Sequence, residues 1–516
     1  MTRLRMVVSM VLCAAMVAAC QPASPPVDRA SEVRIAIAGD PLSLDPAQTA
    51  NAFDGAILDL AYEQLTAIDA NSPNGAVVGE LAESWAFSDD GRTLTFRLRP
   101  DSKFDDGASV TADAVKASIE RLRAVGQRAE QGLYWLGAVD APDSATVRLT
   151  LKQTFPAAPA FLALPAFSVI NPAAIAAHTV GGDGAKAWLG EHTAGSGSYR
   201  VASWSRGQRL TLEVNPHASH APRQFQRVTF QITPNDSARR LLLEKGDVDY
   251  LAGLGAAASR GFDGIAGVKV VVAQSTADMR FLTMNTQRAP MSDVRLRQAV
   301  AAAIDYDALR EKVLAGRVGP LAGFLPPGVP GGDPDRSPPK RDLARAKALL
   351  AEAGYDGREV QLMVAAYGPV AEFVQSQLVE AGFKVKLQRL APSAIDAQRV
   401  TGDFDLFYDG WSMDVPDPVL FFNLAFSSRY VGSGVNASRF ASPELDAELD
   451  AAMAETDPVR RAELYRAIEE RLIEARPVAM LFSTWPIVAH RSDLAGVRVN
   501  PYQSSYLNIQ DWTRTP

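Results

Sequence analysis

Cysteine is almost missing from this chain: 516 residues hold two, Cys13 and Cys20. A disulfide scaffold is thereby excluded, and a chain of this length can rely on its core instead. Histidine is scarce, with five copies, so a histidine-rich metal centre has little to draw on. No apolar run reaches the ~18 residues that cross a bilayer, which excludes a polytopic transporter. An excess of basic residues is missing too. The chain has 52 Lys and Arg against 59 Asp and Glu, a net charge of −7, which provides no broad footprint for nucleic acid.

Catalytic signatures are also missing. There is no G-x-S-x-G nucleophile elbow, no H-E-x-x-H zinc helix and no Gly-Lys pair of the kind a phosphate loop needs. His217 and His220 are close in sequence, but Pro216 and Pro222 surround them, and they read as solvated loop residues rather than metal ligands. Gly253-Leu254-Gly255-Ala256-Ala257-Ala258 imitates a dinucleotide fingerprint, yet Gly261, Gly264 and Gly267 interrupt the helix that such a site requires. It reads as a turn. Neither a cofactor nor a metal is expected, and the chain is expected not to be an enzyme.

What is present begins at the N-terminus. Arg3 and Arg5 precede an apolar run from Met6 to Ala19, too short to span a membrane and suited to an export signal. The signal ends in Val17-Ala18-Ala19-Cys20, which resembles a bacterial lipobox. That resemblance implies a signal peptide over 1–19, acylation of Cys20 and a membrane-anchored protein of the cell envelope or periplasm. The Pro-rich stretch after Cys20 reads as an extended tether, 20–31, that holds a folded body off the membrane.

Beyond the tether, strands and helices are mixed throughout, which predicts an α/β or α+β protein. Val33, Ile35 and Ile37 alternate with small or polar residues, as do Leu94, Phe96 and Leu98, and Val147, Leu149 and Leu151. Each run reads as a strand with one wet face. Asp293 is expected to cap a helix running to about Gly316, and helices are also expected at 342–353, before Gly382, and from Pro458 to near Pro477. Loop or boundary signals lie at Pro326–Gly332, Gly181–Gly184 and Ala194–Ser198.

Several segments, in order, resemble the family 5 extracellular solute-binding proteins of ABC importers, the group that takes dipeptides, oligopeptides and nickel. They are Leu44-Asp45-Pro46; Leu81-Ala82-Glu83-Ser84-Trp85 with Ser88-Asp89-Asp90-Gly91; and Lys103-Phe104-Asp105-Asp106-Gly107 leading to Thr111-Ala112-Asp113. Gly195–Tyr199 with Asn215-Pro216 follows, although Ser198 stands where the family usually has Pro. Asn285, Pro290 and Asp293–Gln298, then Ala353-Gly354, and finally Gly410–Pro418 complete the series. The resemblance implies a bilobal fold of the periplasmic-binding-protein type II kind, with three sub-domains and a ligand cleft between lobes. One lobe combines 31–50, 190–275 and 485–516; a peripheral sub-domain fills 51–189; the other lobe is 276–484.

The resemblance implies a monomeric binding protein that closes on a peptide and delivers it to permease subunits of an ABC importer. It also implies a ligand site at Gly410–Pro418. Asp414 matches the acid that holds a ligand ammonium in peptide-binding relatives. Trp411 supplies a flat wall, or is core. Backbone around Ser412 and Met413 pairs with the peptide as an added strand. Of Phe407 and Tyr408, only one can face the cleft, and Tyr408 is taken as the candidate. Asn436 lies in a loop that edges the ligand in relatives. Asp417 reads as a helix cap. The partner of a ligand carboxylate is left open among Arg280, Arg389, Arg429 and Arg439. A nickel chelate, haem, an oligosaccharide or a modified peptide is the alternative cargo, and an exported hydrolase is the alternative of another class.

Overall fold

A computed structural model of the chain describes residues 29–48, 52–69, 72, 75–126, 132–274, 277–325, 329–366, 368–500, 502 and 507–515. The signal, Cys20, most of the tether and part of the Pro326–Gly332 loop lie outside them. Two large mixed sheets organise the molecule. The first has seven strands in the order Val268–Val272, Ile487–Arg491, Tyr250–Leu251, Glu32–Ile37, Arg227–Ile232, Arg209–Val214 and Tyr199–Ser205. The second has six, in the order Val318–Gly319, Val478–Thr484, Asp278–Met284, Leu406–Ser412, Glu359–Val364 and Lys384–Arg389. A four-stranded antiparallel sheet, Ala82–Phe87, Thr93–Leu98, Thr146–Leu151 and Leu136–Asp143, forms a third layer.

The chain passes between the two large sheets twice. It leaves the first after Val272 and enters the second at Asp278, then leaves at Thr484 and returns at Ile487. The two crossing strands lie side by side, antiparallel, with Thr283 opposite Val478. Two neighbouring crossovers under two sheets are what a bilobal hinge requires.

Alternation along Thr93–Leu98 and Thr146–Leu151 buries Leu94, Phe96, Leu98, Val147, Leu149 and Leu151 on one face. Glu32–Ile37 departs from the expected single wet face, since Ala36 and Glu32 are buried along with Val33, Ile35 and Ile37. It is central and parallel to both neighbours, and parallel strands are covered on both sides.

The helix expected from Asp293 to Gly316 is two elements. Val294–Ala303 ends at an extended Ile304, and Asp305 starts a new turn by accepting a hydrogen bond from the Ala308 amide at 2.9 Å. A capping side chain outcompetes the apolar period there. Leu343–Glu352, Pro369–Ala381 and Pro458–Ala475 form as expected, the second ending at Gly382 with φ of 114°. The Ala194–Ser198 run is packed rather than free. Gly195 and Gly197 lie against Ala61 and Tyr62, where a Cβ would meet backbone at 2.2 and 2.5 Å.

One apolar cluster joins layers distant in sequence. It runs from Phe96 and Leu149 through Phe155 and Phe161 to Phe421, Phe426 and Tyr465. Among the described residues no helix is long and apolar enough to cross a membrane.

Candidate functional site

A cavity of about 520 Å³ opens between the peripheral layer and the second large sheet. One wall is Ala47, Leu122, Phe161, Leu164 and Phe167. The facing wall holds Asp396, Arg399, Trp411, Asp414, Leu420 and Leu424, and Ser433, Gly434 and Val435 complete the lining.

The strand Leu406–Ser412 delivers the polar side. It pairs antiparallel along its full length with the hinge strand Asp278–Met284, so its register is set by the sheet. Parity then decides what faces the cavity. Trp411 does, and its ring lies 5.3 Å from Phe421. Its indole N–H is buried with no hydrogen-bond partner among the described residues. A buried donor left unpaired is costly.

Asp414 follows the strand's end and is exposed to the space inside the cavity, while protein surrounds it at longer range. Loss of hydration pushes its carboxyl up to about 6; the Ser412 hydroxyl opposes the shift and Asp278 adds to it. Water filling an open cleft offsets part of that push. A partly dehydrated carboxylate with no cationic partner among the described residues favours a ligand that brings a cation.

Arg399 is the residue that sequence reasoning missed. It extends from the helix Pro392–Thr401 into the cavity wall, half-buried, with its Nε unpaired and no carboxylate within ion-pair distance among the described residues. Its guanidinium lies 5.7 Å from the Phe407 ring. The four arginines left open from sequence are placed otherwise. Arg280 pairs with Asp278 at 2.6 Å. Arg429 bonds Asp450 at 2.8 Å. Arg439 donates to Val400 O at 3.1 Å. Arg389 ends the outermost strand, exposed.

Three further expectations are corrected. Tyr408 alternates with Trp411 and so points to the opposite face, where it packs on the core containing Leu282 and Leu406. Met413 is buried and its N–H donates to Ala277 O at 2.7 Å, which removes that donor from pairing with a peptide. Asn436 is fully buried; its amide donates to Ser427 O and Phe440 O at 3.0 and 2.9 Å and its oxygen accepts from Ser438 Oγ at 2.9 Å. It braces the loop, and its neighbours Gly434 and Val435 line the cavity instead. Asp417 caps the helix Pro418–Phe426, accepting from the Val419 amide at 2.9 Å. Among the described residues no group of three or more His, Cys, Asp or Glu is placed to hold a metal ion.

The chain resembles known proteins over nearly its whole length. It is 32% identical to the probable D,D-dipeptide-binding periplasmic protein DdpA of Escherichia coli K12, with 92% of this chain and 93% of that one covered. It is 27% identical to the glutathione-binding protein GsiB of Salmonella typhi over the same shares. A solved structure of a dipeptide-binding protein from Pseudoalteromonas sp. SM9913, in complex with Met-Leu, superposes with a TM-score of 0.83 at 22% identity, covering 94% of this chain and all of that one. The family model described as bacterial extracellular solute-binding proteins, family 5 middle, matches residues 76–433. The chain therefore belongs to the family 5 bacterial extracellular solute-binding proteins.

Proposed function

We propose that this protein captures short peptides outside the cytoplasm and passes them, unchanged, to the permease of an ABC importer. The observation that carries the reading is that an acid and a base with no ion-pair partner among the described residues, Asp414 and Arg399, line the same cavity between the lobes. A free peptide carries an ammonium and a carboxylate, and burying both requires one partner for each. Asp414 takes the ammonium and Arg399 the carboxylate. The Trp411 ring gives the peptide a flat wall, while Phe161, Leu164, Leu420 and Leu424 receive small apolar side chains. The likeness to a D,D-dipeptide-binding relative supports a dipeptide as the cargo.

The domain reading belongs to the same proposal: lobe I from 31–50, 190–275 and 485–516, a peripheral sub-domain over 51–189, and lobe II over 276–484. The membership of each sheet is consistent with those bounds. Cys20, acylated after removal of 1–19, tethers the body to the membrane.

Titration calorimetry on the ligand-free protein tests the cargo, with D-Ala-D-Ala, L-Ala-L-Ala, their N-acetylated forms and glutathione. The reading expects a free dipeptide to bind most tightly, and the folded protein to gain about 2.7 kcal/mol at ligand a hundredfold above Kd. Binding of none of the peptides, alongside tight binding of a metal chelate or a sugar, would overturn it. Replacing Cys20 with Ser should release the protein into the soluble envelope fraction.

A further inference from the structure

We propose that Arg461, which lies outside the cavity lining, is a positioning residue for the ligand site: its ion pair with Asp417 aims Asp414 and sets Leu420 and Leu424 on the same wall. The inference rests on the peptide reading above.

Arg461 belongs to the first turn of the helix Pro458–Ala475. Its Nη1 lies 2.7 Å from Asp417 Oδ2, and its Nη2 donates to Asp417 Oδ1 at 3.0 Å. The Tyr465 hydroxyl, one turn on, donates to the same Oδ1 at 3.2 Å and accepts from Nη2 at 3.0 Å. Nε donates to Ala452 O at 3.1 Å, near the end of the helix Pro443–Ala454. All three side chains are buried. The Asp417 carboxylate thus ties its own helix, which it also caps, to the helix of Arg461 and Tyr465, and Arg461 links both to the third through Ala452.

The consequences run both ways along the chain. Toward the N-terminus, the Asp417 amide donates to Val415 O at 2.8 Å, and Val415 is fully buried. Met413 is held at Ala277. Asp414 therefore lies on a short span fixed at both ends. Toward the C-terminus, Leu420 and Leu424 follow one helical turn apart, on the face that lines the cavity. A two-pronged guanidinium–carboxylate pair fixes orientation as well as position. A buried pair is weak evidence for stability, since desolvation offsets its attraction; fixing a register is its best-attested use.

The test uses Arg461→Lys, which keeps the charge and loses the fork, and the neutral double variant Asp417→Asn/Arg461→Met, in which Asn still caps the helix. Dissociation constants for a free dipeptide and its N-acetylated form, the unfolding midpoint, and amide exchange over 413–420 in ligand-free protein are measured for both. Positioning expects a loss of roughly tenfold or more for the free dipeptide, a smaller one for the acetylated form, and faster exchange. A lowered midpoint with both constants within about twofold of the parent would overturn it and leave a structural role. If the parent protein takes no peptide, the peptide reading fails instead, and unchanged exchange over 413–420 still overturns the anchoring.

Discussion

Across the cavity, Phe161, Leu164 and Phe167 face Asp414, Arg399 and the Trp411 indole. The first wall continues into a core shared with the four-stranded sheet, and its side chains meet the cavity through apolar burial. The second is mounted on a sheet strand, a capped helix and a buried ion pair, each of which fixes direction. An apolar wall contributes affinity in proportion to area and tolerates many shapes. A charged wall contributes little unless the ligand supplies the opposite charge at the right place, and so it chooses. Unequal walls suit a binder that must recognise the peptide class and remain indifferent to much of the side chain.

The largest way to break the contrast is Asp414→Asn. Losing the carboxylate under a buried ammonium should weaken free dipeptides by about 2–4 kcal/mol, read by calorimetry. N-acetylated peptides should lose far less. Equal losses would take Asp414 out of the ammonium role. Arg399→Gln comes next, at about 1.5–2 kcal/mol, and only for peptides that end in a free carboxylate. If C-terminal amides suffer as much, Arg399 acts on the wall and not on the ligand.

The unequal walls also explain what the sequence made legible. Trp411 and Asp414 lie within one short run, Gly410–Pro418, where strand end, acid and cap follow one another, so the chemistry is contiguous. Arg399 lies upstream on a helix whose own pattern is unremarkable, and only folding brings it to the cavity that Asp414 lines. Phe161, Leu164 and Phe167 could not be told from core, because a cavity wall and a core use the same residues. Asn436 misled because the loop faces the ligand space while that side chain is turned inward to hold it. Tyr408 was decided by parity, which needed the orientation of Trp411. The alternating strands and the caps at Asp293 and Asp417 were readable because their physics is local; the break at Ile304 was not, since Asp305 competes with the apolar period.

A pH series sharpens the polar side. Burial holds the Asp414 carboxyl at about 6 in the empty protein, and a ligand ammonium would pull it down in the complex. The complex then binds fewer protons than the free form. Affinity should be full above pH 7 and fall as pH drops through 6, to roughly a tenth of its neutral value near pH 5. N-acetylated peptides should show no such fall. A flat profile for free dipeptides would mean that Asp414 is already ionised at pH 5, or not engaged.

The smallest effect probes the other wall. Leu164→Ala removes half-buried methyl groups from a surface that meets ligand only through dispersion and exclusion of water. A loss of about 1 kcal/mol is expected, and because no charge is involved, free and N-acetylated dipeptides should lose it equally. Peptides with a bulkier side chain should lose less than small ones, since the space vacated by Leu164 can be refilled. The unfolding midpoint should move little, because the side chain is already partly open to the cavity. A loss confined to free dipeptides would mean that this wall helps to place the charges as well, and the division of labour between the two sides would no longer stand.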